Sequence, residues 1–572
     1  MKAKLLFLTS VLFVCAFAKA QIDFSDGSSN LVNGDLKSGV AMGVTDMNGD
    51  GLDDIIRLDN ADNLEIEYQQ ADGSFTRTDL GGVDGPWAVT IADVDENGMN
   101  DILVGGFQDG LKLFKADNSG ATFTQEVLDG PGIFLQNANF ADINNDGNID
   151  FFGCHDDGIS SPYENDGNGT LLYNLNLIDT ASTVASDNSG NYGSIWIDYD
   201  NDGDQDLYIS KCRQGITDPM DGRRLNLLFQ NDGNNNFTDV AEAAGLRPMT
   251  QTWSTNFGDI DNDGDLDAVM VNHFVNHQIF ENNGDGTFTD ITADTNIETE
   301  LSEVGVGIQV MMEDFDNDGF IDIFLTTSDG IHHMFINDGD KTFSTVSSPF
   351  VTNGPRVQSA ATGDLNNDGF IDLIAGYAQG FNGPSSTHND QLFLNDGNEN
   401  NWSKIILEGV ESNRNGIGAR VEIYGTWGMQ IREVRSGESY GTQNSLTTHF
   451  GIGDETTIDQ IIVRWPSGIV DLIEAPDSNT TLNILEGENE LSVEDNTLNL
   501  FSMYPNPATS SISISAKELI ETNELRVFDI TGKKVLSQNI GSTTQHVIDI
   551  RHLTAGVYFV TLGTKTVKLI KR

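Results

Sequence analysis

Residues 259–267 read Asp259-Ile260-Asp261-Asn262-Asp263-Gly264-Asp265-Leu266-Asp267, and the same nine-residue unit stands at 198–206 as DYDNDGDQD and at 314–322 as DFDNDGFID. It returns as DMNGDGLDD at 46–54, DVDENGMND at 93–101, DINNDGNID at 142–150 and DLNNDGFID at 364–372, seven copies in all. Positions one, three, five and nine are Asp or Asn in every copy, and position six is always Gly. Repetition at a period of about 50 residues marks an array of like supersecondary units.

Side chains at alternate positions of a tight loop converge on one point, and Gly permits the reversal that brings them there. Such a set suits calcium, a hard cation that takes six or more oxygens. The predicted ligands are Asp46, Asn48, Asp50 and Asp54; Asp93, Asp95, Asn97 and Asp101; Asp142, Asn144, Asp146 and Asp150; Asp198, Asp200, Asp202 and Asp206; Asp259, Asp261, Asp263 and Asp267; Asp314, Asp316, Asp318 and Asp322; and Asp364, Asn366, Asp368 and Asp372. This implies about seven calcium ions, one per loop. The loop resembles the first half of an EF-hand, but its ninth residue is Asp, no Glu stands at position twelve, and strand-like runs such as Ala268-Val269-Met270-Val271 and Ile323-Phe324-Leu325 follow it. A metal-free Asp/Asn/Gly turn is the plainer alternative. The four carboxylates at positions one, three, five and nine of DYDNDGDQD would then repel one another without a counter-charge.

A second repeat follows each loop: a strand, a turn, then an aromatic. Examples are Phe229 to Phe237 around Asn231-Asp232-Gly233, Phe280 to Phe288 around Asn283-Gly284, and Phe335 to Phe343 around Asn337-Asp338-Gly339. These dipeptides favour hairpins because both central residues tolerate positive φ. Each unit therefore supplies four strands, and seven units predict an all-β, seven-bladed β-propeller over residues 21–403, with a solenoid as the alternative. The repeats resemble the FG-GAP/VCBS repeats of integrin α chains and of many bacterial surface proteins, a likeness covering about residues 30–400. That resemblance implies calcium loops that brace the blades, and no catalytic residue is carried over with it.

The formal net charge is −58, yet the acids recur in one ordered pattern interleaved with apolar runs, which sets the chain apart from disordered acidic sequences. Residues 1–20 read as a signal peptide: Lys2 and Lys4 precede an apolar run from Leu5 to Phe17, and Ala18-Lys19-Ala20 offers a cleavage site before Gln21. Cys15 follows Val14 inside that run and makes a poor acylation site. Cleavage removes three lysines and no acid, so nucleic acid is not an expected partner. No other stretch has the length and hydrophobicity of a membrane span. Cys154 and Cys212 remain, in consecutive repeats, and either a disulfide or two buried thiols fits them.

From about residue 404 the repeat stops. Asn415-Gly416-Ile417-Gly418-Ala419-Arg420-Val421, Arg432-Glu433-Val434-Arg435-Ser436-Gly437, His449-Phe450-Gly451-Ile452-Gly453 and Val463-Arg464-Trp465-Pro466-Ser467-Gly468 resemble the ASPIC/UnbV domain, which follows such propellers in the cartilage acidic protein family. Strands alternating with Gly turns predict a small β-sandwich over 404–486, in which His449 reads as structural. Residues 487–500 read as an acidic linker, and beyond it residues 501–572 carry nine Lys or Arg against five Asp or Glu. Tyr504-Pro505-Asn506-Pro507, Leu525-Arg526-Val527-Phe528-Asp529, Gly532-Lys533, Ala555-Gly556-Val557-Tyr558-Phe559 and the run from Lys568 to Arg572 resemble a type A sorting domain of type IX secretion. The resemblance implies a second small β-sandwich, transfer across the outer membrane by the type IX secretion machinery, and surface attachment or release.

No HExxH motif or phosphate-binding loop occurs. The expected role is therefore non-catalytic binding or adhesion to an extracellular glycan or protein; the alternative is a polysaccharide lyase or glycosidase. Antiparallel alternation puts calcium loops and hairpin turns on one face, so the opposite face carries the longer connections, including 211–224 and 377–390. Candidate ligand-binding residues there are Trp87, Tyr192 and Trp253 at the mouth of the channel, Arg213, Arg223 and Arg224 for acidic groups of a sugar, and His273, His277, His332 and His333. His155 and His388 fall in the same connections. The plainer reading is that these histidines and arginines simply tolerate exposed loops while the aromatics pack between blades.

Overall fold

The computed structural model describes residues 22–491 apart from 181–183, 185, 274–275 and 351–353, and most of 502–572. The leader at 1–20, the start at Gln21, residues 492–500 of the linker, and Pro505 to Pro507, Gly532 and Ala555 of the tail lie outside the described residues. The described chain is all-β apart from one short helix, Glu298–Glu303, and three single helical turns. No helix among the described residues is long and apolar enough to cross a membrane.

The repeats become successive antiparallel sheets, each ordered first to fourth strand along the chain. The fifth is representative: Thr252–Gly258, Asp267–Asn272, Gln278–Asn282 and Phe288–Asp290. The nine-residue loop joins strands one and two, with its ninth residue opening the second strand; the Asn-Gly turn joins strands three and four. Thr252–Gly258 and Asp267–Asn272 are buried throughout. Their sequences lack strict polar alternation because each sheet is covered on both faces by its neighbours. Apolar clusters accordingly lie between sheets: Ile195, Tyr208, Phe257 and Met270 between the fourth and fifth, and Val269, Val271, Val310 and Leu325 between the fifth and sixth.

The seventh sheet departs from the series. Arg356–Gly363, Asp372–Gly380 and Gln391–Asn395 supply three strands, and the fourth comes from the other end of the chain: Phe24–Asp26 pairs antiparallel with Gln391–Asn395, Phe24 opposite Asn395. A small apolar cluster joins this sheet to the first, with Val44 and Ile55 against Ile374 and Leu392.

Beyond the repeats, Asn401–Glu408 pairs antiparallel with Thr448–Gly453 and parallel with Thr481–Leu485. A second sheet of four strands is ordered Gly428–Glu433, Arg420–Gly425, Gln460–Arg464, Val470–Glu474. Ile405, Val421, Phe450, Ile461 and Val463 of these strands, with Trp465 just beyond one of them, share one core with Leu103, Phe140 and Phe151 of the second and third repeat sheets. The chain divides into two compact units, the first ending at Glu490. In the second, Ser502–Tyr504, Ser511–Ser515 and Gln545–Asp549 form one sheet, and Lys534–Asn539, Glu524–Asp529, Gly556–Leu562 and Lys565–Lys571 the other. Its core is built on Ile512, Ile514, Val527, Ile548 and Val560.

Candidate metal centres and the inserted segment

The nine-residue loops share one local geometry. Two residues sit in the left-handed region: position six, Gly203 at φ 92°, and position four, Asn201 at φ 59°. Asn tolerates that region better than most residues, which accounts for Asn at position four in five of the seven loops. The position-one carboxylate then caps its own loop, as Asp198 accepts from Asp202 N and Gly203 N, both at 3.0 Å. Position five turns its carboxylate onto the amide two residues on, Asp204 N to Asp202 at 3.0 Å.

Position nine does more than the sequence indicated. Asp322 accepts from Phe315 N at 2.9 Å within its loop and from Asn337 N at 2.8 Å on the third strand. Asp54, Asp101, Asp150, Asp206, Asp267 and Asp372 do the same with Gln69, Ala116, Asn165, Asn231, Asn282 and Asn395. The hairpin Asn then reaches sideways: Asn337 Nδ2 donates to Ile321 O of its own loop at 3.0 Å and to Ile260 O of the preceding loop at 2.7 Å. Asn282 and Asn395 repeat this pair of bonds, and Gln69 takes the place of Asn in the first sheet, bonding Asp53 O and Asp364 O at 3.0 Å. These struts were missed because the Asn before Asp-Gly or Asn-Gly reads as part of a turn; its recurrence at one register is the signal that could have found them.

Four loops gather three carboxylates whose oxygens lie within 4.8 Å of one another: Asp93, Asp95 and Asp101; Asp198, Asp200 and Asp206; Asp259, Asp261 and Asp263; and Asp314, Asp316 and Asp322. Loops one, three and seven carry Asn at position three. Burial, reinforced by the neighbouring carboxylates, pushes Asp54 and Asp206 up to about 9 and Asp101, Asp150 and Asp267 up to about 8. Asp322 and Asp372 are raised well above the ordinary value for the same reasons. Asp95 Oδ1 and Asp200 Oδ1 are buried without a hydrogen-bond partner. Converging carboxylates, some lacking a donor, fit a metal cation. Two lysines add positive charge: Lys404 Nζ lies 2.6 Å from Asp364 Oδ2, and Lys341 bonds Asp261 and Glu281.

The sandwich after the repeats covers this face. Asn415 Oδ1 accepts from Asp93 N at 2.7 Å, Arg420 Nη2 donates to Gly264 O at 2.8 Å, Gly453 N to Asn317 O at 2.8 Å, and His449 Nε2 lies 2.9 Å from Gly369 O. His449 is thus a buried structural contact. Between its strands the segment 434–447 descends among the first strands of the repeat sheets. Gln443 O accepts from Val44 N at 2.9 Å, Gly441 N donates to Asn137 Oδ1 at 2.6 Å, Gln309 Nε2 to Tyr440 O at 3.1 Å, Val310 N to Ser439 Oγ at 2.9 Å, and Ser445 N to Thr362 O at 3.1 Å. Gly193 admits it at the fourth sheet, where a Cβ would stand 2.7 Å from Ser439 O.

At the tip Tyr440 is buried, edge-on to Trp253 at 5.6 Å and stacked on Tyr192 at 6.2 Å. Tyr192 and Trp253 therefore meet around a residue of this same chain. His273 lies against Trp253 at 5.0 Å, and the Arg356 guanidinium stands 5.8 Å over the indole. Trp87 is buried in a separate cluster with Phe134 and Phe381. Arg213 is held at 2.8 Å by both Asp156 and Asp157, Arg223 by Asp221 at 2.7 Å, and Arg224 donates to Ile216 O and Met249 O. His277 Nδ1 accepts from Asn272 N at 3.0 Å and His332 Nδ1 from Thr327 N at 3.1 Å, so each imidazole staples its own loop; His333 stacks on Phe335. Cys154 and Cys212 are separate buried thiols, and Cys212 Sγ lies 3.2 Å from His273 Nδ1.

Three families match. The FG-GAP-like repeat matches residues 46–104, 217–270 and 314–375, ASPIC and UnbV residues 409–491, and the secretion system C-terminal sorting domain residues 502–572. The sorting domain directs secretion to the cell surface or the extracellular space. Cartilage acidic protein 1 of Xenopus tropicalis is 27% identical over 258 residues, covering 42% of this chain and 38% of that protein. The Mus musculus protein is 26% identical, covering 46% and 42%. The chain thus spans about two fifths of the length of these relatives. Among solved structures, an Agrocybe aegerita lectin that recognises non-reducing terminal N-acetylglucosamine matches with TM-score 0.39 and 19% identity over 54% of this chain and 80% of that one. The exotype rhamnogalacturonan lyase YesX matches with TM-score 0.35 and 12% identity over 62% and 72%.

Proposed function

We propose that the mature protein is a secreted or surface-displayed, calcium-braced seven-bladed β-propeller that binds an extracellular glycan or protein without transforming it. Calcium is the favoured cation because every converging side-chain donor is an oxygen, the preference of a hard ion. The fourth strand borrowed from Phe24–Asp26 and the Gln69 contact to Asp364 O support a closed ring. The observation that carries the non-catalytic reading is the segment 434–447 with Tyr440 at its tip: it fills the channel of the ring with the chain's own side chains, where a propeller could otherwise gather reactive groups. Binding then belongs on the face away from the loops, because the sandwich covers the other. Arrays of glycans and matrix proteins, probed with and without chelator beside assays for new reducing ends and unsaturated sugars, test this reading. Saturable, chelator-sensitive binding without product is expected; steady product release would sink it.

A further inference from the structure

Four aromatics from separate connections meet on the face away from the metal loops. Trp87 precedes the second sheet, Phe107 lies between its second and third strands, Phe134 precedes the third sheet, and Phe381 tips the hairpin between Asp372–Gly380 and Gly383–Pro384. Ring centroids are 4.9 Å apart for Trp87 and Phe134, 4.9 Å for Phe107 and Phe134, and 6.0 Å for Trp87 and Phe381. Trp87 and Phe134 form the base, while Phe107 and Phe381 stand 58% and 60% exposed. Phe381 holds φ at 50°, an uncommon conformation for an aromatic residue, and the neighbouring Asn382 Nδ2 ties the hairpin to Gly85 O at 3.1 Å. The same connections carry Asp84, Gln108, Asp109 and Asn382, all with acceptor oxygens, and Asp84 accepts from Lys112 Nζ at 2.7 Å.

We propose that Trp87, Phe107, Phe134 and Phe381 form a stacking platform for a neutral hexopyranose unit of an extracellular glycan, an inference that rests on the binding reading above. Aromatic faces suit the C–H face of a pyranose, and carboxylate and amide oxygens receive its hydroxyl donors. Lys112 is the cation nearest this rim and is engaged by Asp84 at 2.7 Å, as Arg213 and Arg223 are by aspartates of this chain, so no unpaired cation among these three is offered to a uronate or a sulfated sugar. A second copy would bring the same acidic charge.

The test uses the calcium-loaded mature protein, titrated calorimetrically with β-1,4-linked hexamers of glucose, mannose and N-acetylglucosamine and with a galacturonate hexamer. At least one neutral hexamer should bind. Phe107→Ala combined with Phe381→Ala should weaken it at least tenfold with the melting temperature and bound calcium unchanged, and Phe107→Tyr should retain binding. Leu172→Ala, at an exposed apolar residue of an outer strand, should bind as wild type. Unchanged affinity in the double variant, preference for galacturonate, or no neutral binding overturns the platform. The broader reading falls separately, if neither these sugars nor the arrayed glycans and matrix proteins bind.

Discussion

The phenol of Tyr440 donates to Gln136 Oε1 at 2.5 Å, across 304 residues of sequence, and fastens the inserted segment to the first strand of the third sheet. Tyr440→Ala should cost about 3–5 kcal/mol, as large buried aromatics do, and Tyr440→Phe about 1–2 kcal/mol. Chemical denaturation measures both. Amides 436–445 should exchange faster in the Ala variant, and protection equal to wild type there would show that the segment is held by its other bonds.

Position nine, a proposed ligand, is also a structural acceptor. Asp206→Ala should remove one bound calcium and leave Asn231 N and Tyr199 N without their acceptor, costing about 2–4 kcal/mol beyond the lost metal linkage. Asp202→Asn, at an exposed position five, should weaken the same site with little effect on the metal-free fold. Elemental analysis and denaturation with and without chelator separate the two effects.

Acid should weaken the loop staples. Burial lowers His277 and His332 to about 4, and in each the ring nitrogen Nδ1 must stay unprotonated to accept its backbone amide. Asp329 favours protonation of His332, while His333 opposes it at both imidazoles. Because the folded values lie below the unfolded value near 6.5, the stabilisation is fully present above 6.5 and is lost as pH falls through the folded value. Between about pH 7 and pH 5 the stability gap between wild type and His277→Gln should shrink by about 2 kcal/mol. A constant gap in denaturant titrations would remove the histidine from the account.

A chain ending at Glu490 should retain the melting behaviour of the first unit, since the compact unit closes there and Asp471 already accepts from Gly487 N and Asn489 N at 2.8 Å. The same truncation should abolish surface display in a host with type IX secretion, measured by protease accessibility on whole cells.

The acidic loops were legible because their repetition fixes residue type and spacing together: Asp or Asn at positions one, three, five and nine, and Gly at six, recur from Asp46–Asp54 to Asp364–Asp372. The sheets followed from that period and from turns such as Asn283-Gly284. The inserted segment was not legible. Ser436 to Ser445 is polar and Gly-containing, and reads as a surface loop; it is buried because its amides and hydroxyls answer backbone and amide groups from partners such as Gln309 and Asn137, far away in sequence. The histidines carried a signal that went unused. Asn272 to His277 and Thr327 to His332 share a spacing of five residues, the mark of a repeated local bond rather than of a ligand pocket.

The seventh sheet sets an order of events in time. Its outer strand, Phe24–Asp26, is made early, and its partner, Gln391–Asn395, emerges only hundreds of residues later. Until that second segment arrives the edge strand has no partner, so no leading portion of the nascent chain can complete the last sheet. Pairings between such distant segments form slowly. The early strand of a secreted chain is thereby left without its partner until most of the first unit has been made.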